Sequence, residues 1–315
     1  LFCLFAMLAS FGIGNGAQAN SIVGSSYNAI TTFVPSTDNA HSRFLISLVC
    51  GVIMAFLVAL ILFGGIKRIG AVTEKLIPFM SLFYILFTLI VIGAHAGNIG
   101  KAFQLIFASA FTPEAVLGAG SGILLKQTII WGMRRSAFSN EAGLGSAAIA
   151  HAAADTKGPV EQGVFGIFEV FVDTIVICSL TALTIICSGV EIPFGVKPGS
   201  ELIMQAFATV FDARFASLFV AFALMLFAFS TIVGWSLYGT RCTQFLFGLK
   251  ATKIFQGAFI VVVVLGSVAS LDTVWDVADT FNGLMAIPNF IAVFALSGVV
   301  AKETRKFFSN PLRRN

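Results

Sequence analysis

The stretch SGILLKQTIIWGMRRSAFSNEAGLGSAAIAHAAAD, residues 121–155, decides how the rest of the chain is read. Its flanks are apolar enough to form helix. Its centre, Phe138-Ser139-Asn140-Glu141-Ala142-Gly143-Leu144-Gly145-Ser146, holds two glycines, hydroxyls, an amide and a carboxylate. Glycine weakens a helix, and Ser and Asn side chains offer the backbone competing hydrogen bonds. Two half-helices are therefore expected, near 119–137 and 144–155, joined by an unwound centre. Inside lipid, an open backbone group is costly unless protein or a water-filled cavity satisfies it, so a break at that depth implies a polar hollow within a helix bundle. The N-terminal end of the 144–155 half-helix would favour an anionic group, and exposed carbonyls would favour a cation. A small zwitterion carries both signs. Taken alone, the same residues also suit a cytoplasmic loop between two ordinary helices, with Arg134 and Arg135 as inner-leaflet charges.

Composition favours the membrane. Hydrophobic residues make up 57% of 315 positions and charged residues only 11%, with a mean hydropathy of +0.95. A soluble domain carries roughly a quarter charged residues, so the charges here are too few to coat a surface facing water. The 34 Phe and 30 Gly suit membrane helices, where glycine lets backbones approach closely. A net charge of +4 is no footprint for nucleic acid. The five cysteines form no CxxC pair and read as small buried hydrophobes.

A bilayer core about 30 Å thick needs ~20 apolar residues as helix. Such runs lie near 1–33, 44–66, 76–97, 161–190, 214–240, 253–271 and 279–301, and the interrupted segment 119–155 supplies an eighth crossing. The segments 99–112 and 199–212 are too short to span and read as amphipathic helices on the outer face. With the chain entering from the cytoplasm, alternating loops place twelve of the 19 Lys and Arg inside, four outside and three within the broken segment. That bias predicts a multi-pass protein of the cell membrane with a cytoplasmic C-terminus. The chain opens partway through an apolar run. The triplet Ala17-Gln18-Ala19 resembles a cleavage site, but no basic stretch precedes it, so a chain entering mid-helix is the expectation.

GMRRSAFSNEAGLGSAAIAHAAADTKGPVEQG (132–163) closely resembles the signature of the alanine or glycine:cation symporter family, also called sodium:alanine symporters. The likeness continues through GGIKRI (64–69), KLIPFM (75–80), VFVDTIVICSLTAL (170–183), FAFSTIVGWSLYG (227–239) and MAIPNFIAVFAL (285–296). Two positions depart from the family pattern: Ser136 stands where glycine is usual and Ala148 where proline is usual. The resemblance implies an all-α, leucine-transporter-like inverted-repeat fold. It treats residues 1–315 as one transmembrane transporter domain that lacks the first two core helices, with 119–155 opening the second repeat. It also implies symport of a small neutral amino acid, alanine or glycine, driven by sodium, with a proton as the alternative coupling ion.

Ser139, Asn140 and Gly143 are the first candidates for lining the substrate pocket, on polarity and resemblance together. Glu141 is an intramembrane acid, functional by default or else a hydrogen-bonded brace for the unwound backbone. Trp235 could wall a small pocket or be plain core, and the resemblance favours the wall. Ser230 and Thr231, one turn earlier, match the paired hydroxyls that this fold offers to sodium; the alternative is hydroxyls bonded back to their own helix. Gln18 and Asn20 would face substrate or join helices. Asp173 and Asp279 are expected to pair with polar groups inside the bundle. Two rivals fit less well. A channel needs polar lining on several helices, and a membrane enzyme finds only His151 and Asp155 as a pair, without a nucleophile.

Overall fold

The computed structural model describes residues 1–111, 129–130, 132–135, 139–192 and 199–309. In chain order the helices are α1 (Phe2–Phe33), α2 (Ala40–Leu62), α3 (Gly65–Ala94), α4 (Ile99–Phe111), α5 (Ala147–His151), α6 (Pro159–Ser188), α7 (Glu201–Ala208), α8 (Ala213–Phe247), α9 (Leu249–Val268) and α10 (Leu271–Ser309). Among the described residues there is no strand. Seven helices there (α1, α2, α3, α6, α8, α9 and α10) are long and apolar enough to cross a bilayer. The protein is thus an all-α, multi-pass membrane protein.

Local chemistry sets the ends. The Asn39 side chain accepts from the Ser42 N–H at 2.9 Å to open α2, and Asp212 accepts from the Arg214 N–H at 2.9 Å to open α8. Each satisfies a donor that the first helical turn leaves open. Gly248, at φ +80°, ends α8 in a conformation that side-chain-bearing residues rarely adopt. These signals lie outside the apolar runs, so α2 and α9 start, and α8 stops, several residues beyond the hydropathy boundaries. The clearest case is α8, which runs on through Arg241 and Gln244 to Phe247.

α8 is the central post. It packs along α1 on one side and against α3 and α7 on another; α9 packs on α2, and α10 on the first half of α1. Three apolar clusters result. Ile22, Val58, Ile232, Phe259 and Val263 join α1, α2, α8 and α9. Ala6, Ala9, Ile13, Trp235 and Met285 join α1, α8 and α10, and Leu144 of the interrupted segment packs with them. Phe207, Phe219 and Val91 anchor a phenylalanine-rich cluster of α3, α7 and α8. Large apolar side chains such as Leu82, Ile167 and Phe294 are 71–76% exposed, which suits lipid rather than water.

Two helices contain π-helical turns, Gly12–Gly16 in α1 and Phe171–Cys178 in α6. The polar stretch Gly14-Asn15-Gly16-Ala17-Gln18-Ala19-Asn20 of the first crossing therefore stays helical, by widening instead of breaking.

The interruption is present. Asn140 is extended, Glu141–Gly143 forms a single 3-10 turn, and Gly145 takes φ +94°. The second half-helix is shorter than the expected 144–155. It begins after Gly145, because a left-handed residue cannot continue an α-helix, and α5 is only five residues long. A helix of one turn carries little terminal charge, which removes the expected anion-favouring N-terminus. Of the first half-helix, 129–130 and 132–135 are helical; the rest of 119–137 lies outside the described residues. The expected outer segments are helical over Ile99–Phe111 and Glu201–Ala208.

Candidate functional site

The unwound segment is tied to two long helices. Asn140 donates from Nδ2 to Asp173 Oδ2 at 3.3 Å, and the Ser139 hydroxyl donates to the same oxygen at 3.4 Å. Asp173 lies in the π-helical part of α6, near the middle of Pro159–Ser188. From the other side, Asn289 Nδ2 of α10 donates to the Gly143 carbonyl at 2.9 Å. Asn289 also lies near the middle of its helix, one residue after Pro288. The irregular backbone is thus clamped level with the centres of two membrane helices.

Glycine is required at one position of this clamp. A side chain at Gly145 would collide with the Asn289 amide, Cγ at 2.7 Å, and its φ is already unfavourable for other residues. Gly143 is different, with open space up to Phe290 at 3.8 Å.

Within the segment, the Asn140 side chain caps the 3-10 turn by accepting from the Ala142 N–H at 2.9 Å. The Glu141 carboxylate accepts from the Ser146 hydroxyl at 2.7 Å, and the Trp235 and Tyr238 side chains of α8 lie near the same carboxyl. Trp235 is 2% exposed and meets the Tyr238 ring edge-on at 5.5 Å. Ser139, Asn140, Glu141, Gly143 and Trp235 are therefore brought together. The arrangement places the Glu141 and Asp173 carboxyls, the Asn140 and Asn289 amides and the Ser139 and Ser146 hydroxyls along one unwound segment, with the Trp235 indole nearby.

The other candidates sit elsewhere. Gln18 Nε2 donates to the Ile13 carbonyl at 3.1 Å. A π-turn leaves a helix carbonyl without its usual partner, and Gln18 supplies one. Asn20 Nδ2 donates to the Gly266 and Ala269 carbonyls at 3.2 and 2.9 Å, closing the C-terminal end of α9. The Ser230 and Thr231 hydroxyls both donate to the Phe227 carbonyl, at 2.8 and 3.0 Å, and Ser230 also lies 3.9 Å from Met80 Sδ. Their oxygen lone pairs remain available to a hard cation. Asp279 meets Arg135 at 3.4 Å and Arg134 at 3.9 Å, but both arginine side chains are 42–48% exposed, so the pairing is not the one inside the bundle that was expected.

Sequence reading underweighted Asp173 and missed Asn289 and Tyr238. An acid centred in an apolar run was the signal for Asp173, and an amide directly after an intrahelical proline was the signal for Asn289.

Among the described residues, a polar non-helical segment is thus tied to two long apolar helices, and discontinuous helices of this kind recur in secondary transporters. The sodium:alanine symporter family profile matches residues 1–314, and the chain belongs to that family. It is 40% identical over 317 residues to the sodium/alanine symporter AgcS of Methanococcus maripaludis, covering 100% of this chain and 65% of that protein. It is 35% identical over 301 residues to the probable sodium/glutamine symporter GlnT of Bacillus subtilis, covering 94% and 59%. It is 31% identical over 300 residues to a sodium/proton-dependent alanine carrier of Bacillus sp. (strain PS3), covering 89% and 63%. The chain thus spans a little under two thirds of the length of these relatives.

Proposed function

We propose that this chain forms the larger part of a secondary active transporter that couples uptake of a small neutral amino acid, alanine or glycine, to a cation gradient. The observation that carries the reading is the clamp on residues 139–146. Its ties to Asp173 and Asn289 favour a break at mid-bilayer, where irregular backbone is tolerated only when it is buried in protein or lines a cavity. Ser139, Asn140, Glu141, Gly143 and Trp235 contact the substrate; its ammonium group suits the carboxyls of Glu141 and Asp173. Gln18 and Asn20 are placed second, since their amides are engaged with carbonyls. Sodium is the coupling ion, with Ser230 and Thr231 as hydroxyl ligands. A proton is the runner-up, which the name of the strain PS3 relative also supports.

The fold is read as a leucine-transporter-like inverted repeat forming a single transporter domain across 1–315, with the C-terminus in the cytoplasm. Transport proceeds by alternating access: substrate and cation share one site, open first to the outside and then to the inside. The loaded carrier reorients more readily than the partly loaded one.

The test is uptake of labelled alanine into proteoliposomes by the full-length protein, with and without an inward sodium gradient and, separately, a proton gradient. Accumulation that needs the sodium gradient, together with exchange of labelled for unlabelled alanine, is expected. Equilibration without exchange would indicate a pore and sink the carrier reading. Unlabelled glutamine as competitor reads the substrate range.

A further inference from the structure

The π-helical turn of α1 reads GIGNG, Gly12 to Gly16, and its glycines meet three different helices. A methyl carbon at Gly12 would lie 3.0 Å from the Ala278 Cα of α10, and Gly16 is approached from Gly266 of α9, where an added methyl would stand 2.5 Å from the Gly16 Cα. Gly14 is the tightest against a side chain. A methyl there would stand 2.5 Å from Cδ2 of Trp235 and closer still to its Cβ and Cγ. Alanine is the better helix former of the two residues, so glycine at this position is explained by space and not by propensity.

Trp235 cannot absorb such a push in most directions. It is 2% exposed, shares a packed cluster with Ile13, Leu144 and Met285, and is flanked by the Tyr238 ring. It lies near Glu141 of the unwound segment and shares its cluster with Leu144. The indole therefore lies between the π-turn and residues 141–144. Because the closest atoms are Cβ and Cγ at the root of the side chain, a methyl at Gly14 shifts α8 at Trp235 away from α1 and carries the indole toward the unwound segment by about 1 Å, the shortfall from ordinary van der Waals contact at 3.4 Å or more.

We propose that Gly14 is a specificity-determining position: it seats the Trp235 indole against α1 and so sets the room left for the substrate side chain beside residues 139–146. This rests on the reading of Trp235 as a wall of the substrate site. Gly14 acts through the indole and is a positioning residue.

The test is a Gly14→Ala, Trp235→Gly and double-variant cycle in the full-length protein, reading initial uptake of labelled alanine and labelled glycine in proteoliposomes. These substrates differ by one methyl, and a methyl that meets a wall is worth about tenfold or more in discrimination. Gly14→Ala is expected to lower the alanine-over-glycine preference about tenfold, and Trp235→Gly in the same chain, which removes the Cβ and Cγ that the methyl meets, is expected to cancel that shift. A loss of folding alone would lower both uptakes equally and leave the ratio fixed. An unchanged ratio in Gly14→Ala, or a shift that persists without the indole, overturns the inference. Should Gly14→Ala fail to reach the membrane, recovery in the double variant supports the seat and continued failure overturns it. If the unaltered protein moves neither amino acid, the transport reading itself has failed, and that result is distinct from a failed cycle.

Discussion

Replacing Asn140 separates two jobs that one side chain performs. Asn140→Ala removes the cap on the Ala142 N–H and the donation to Asp173. A lost cap costs about 1 kcal/mol. A hydrogen bond to a carboxylate is worth ~1.5–3 kcal/mol, and the lower end applies because the contact is 3.3 Å long and Asp173 keeps Ser139 at 3.4 Å. The unwound segment should lose ~2–3 kcal/mol of local order, a shift of roughly 30- to 150-fold between ordered and disordered forms. Alanine uptake at low substrate concentration should fall by at least about tenfold while expression persists. Asn140→Asp keeps the cap but sets a second carboxylate against Asp173. Two like charges about 4 Å apart repel by about 4 kcal/mol at an effective dielectric of 20. The repulsion is present when both groups are ionised and is relieved when one takes up a proton. Uptake by Asn140→Asp should therefore rise as pH falls, whereas the alanine variant should show no such recovery. The assays are labelled-alanine uptake across pH and amide hydrogen exchange over 139–151. Wild-type uptake and exchange in Asn140→Ala would refute the clamp as the organising feature of the site.

Gln18→Leu should leave the Ile13 carbonyl short of a donor and cost ~1–3 kcal/mol, read as a lower melting temperature with little change in the KM for alanine; a raised KM at unchanged stability would instead make Gln18 a substrate contact. Ser230→Ala and Thr231→Val should each raise the sodium concentration for half-maximal uptake, by about tenfold if one oxygen ligand is worth about 1.4 kcal/mol. An unaltered sodium dependence would leave both hydroxyls as plain intrahelical donors to Phe227.

Much of the architecture is legible before any coordinates. Apolar run length locates the seven crossing helices because transfer into lipid is a property of local composition, added residue by residue. The break at Asn140–Ser146 is legible for a similar reason. Glycine and short polar side chains disfavour helix wherever they stand, and Gly145 meets that expectation with a left-handed backbone. Helix ends are read less well, because Asn39, Asp212 and Gly248 stop or start helices by capping, which the apolar pattern does not register. Within the candidate site, Ser139, Asn140 and Glu141 are foreseeable as neighbours in sequence.

Tertiary structure alone decides which polar residues converge and which serve as joints. Gln18 and Asn20 look alike in sequence, yet one completes a π-turn and the other closes a helix 246 residues away. Asn289 gains its role only because α10 brings it to the Gly143 carbonyl, 146 residues distant. Gly14 is one glycine among 30 until α8 lays the Trp235 indole on it. Local composition fixes where the chain enters lipid and where helix is weak; packing decides whether such a stretch opens, as at 141–146, or widens, as at Gly12–Gly16. Hydrogen-bond partners and van der Waals limits arise between helices, and they exist only once the bundle has packed.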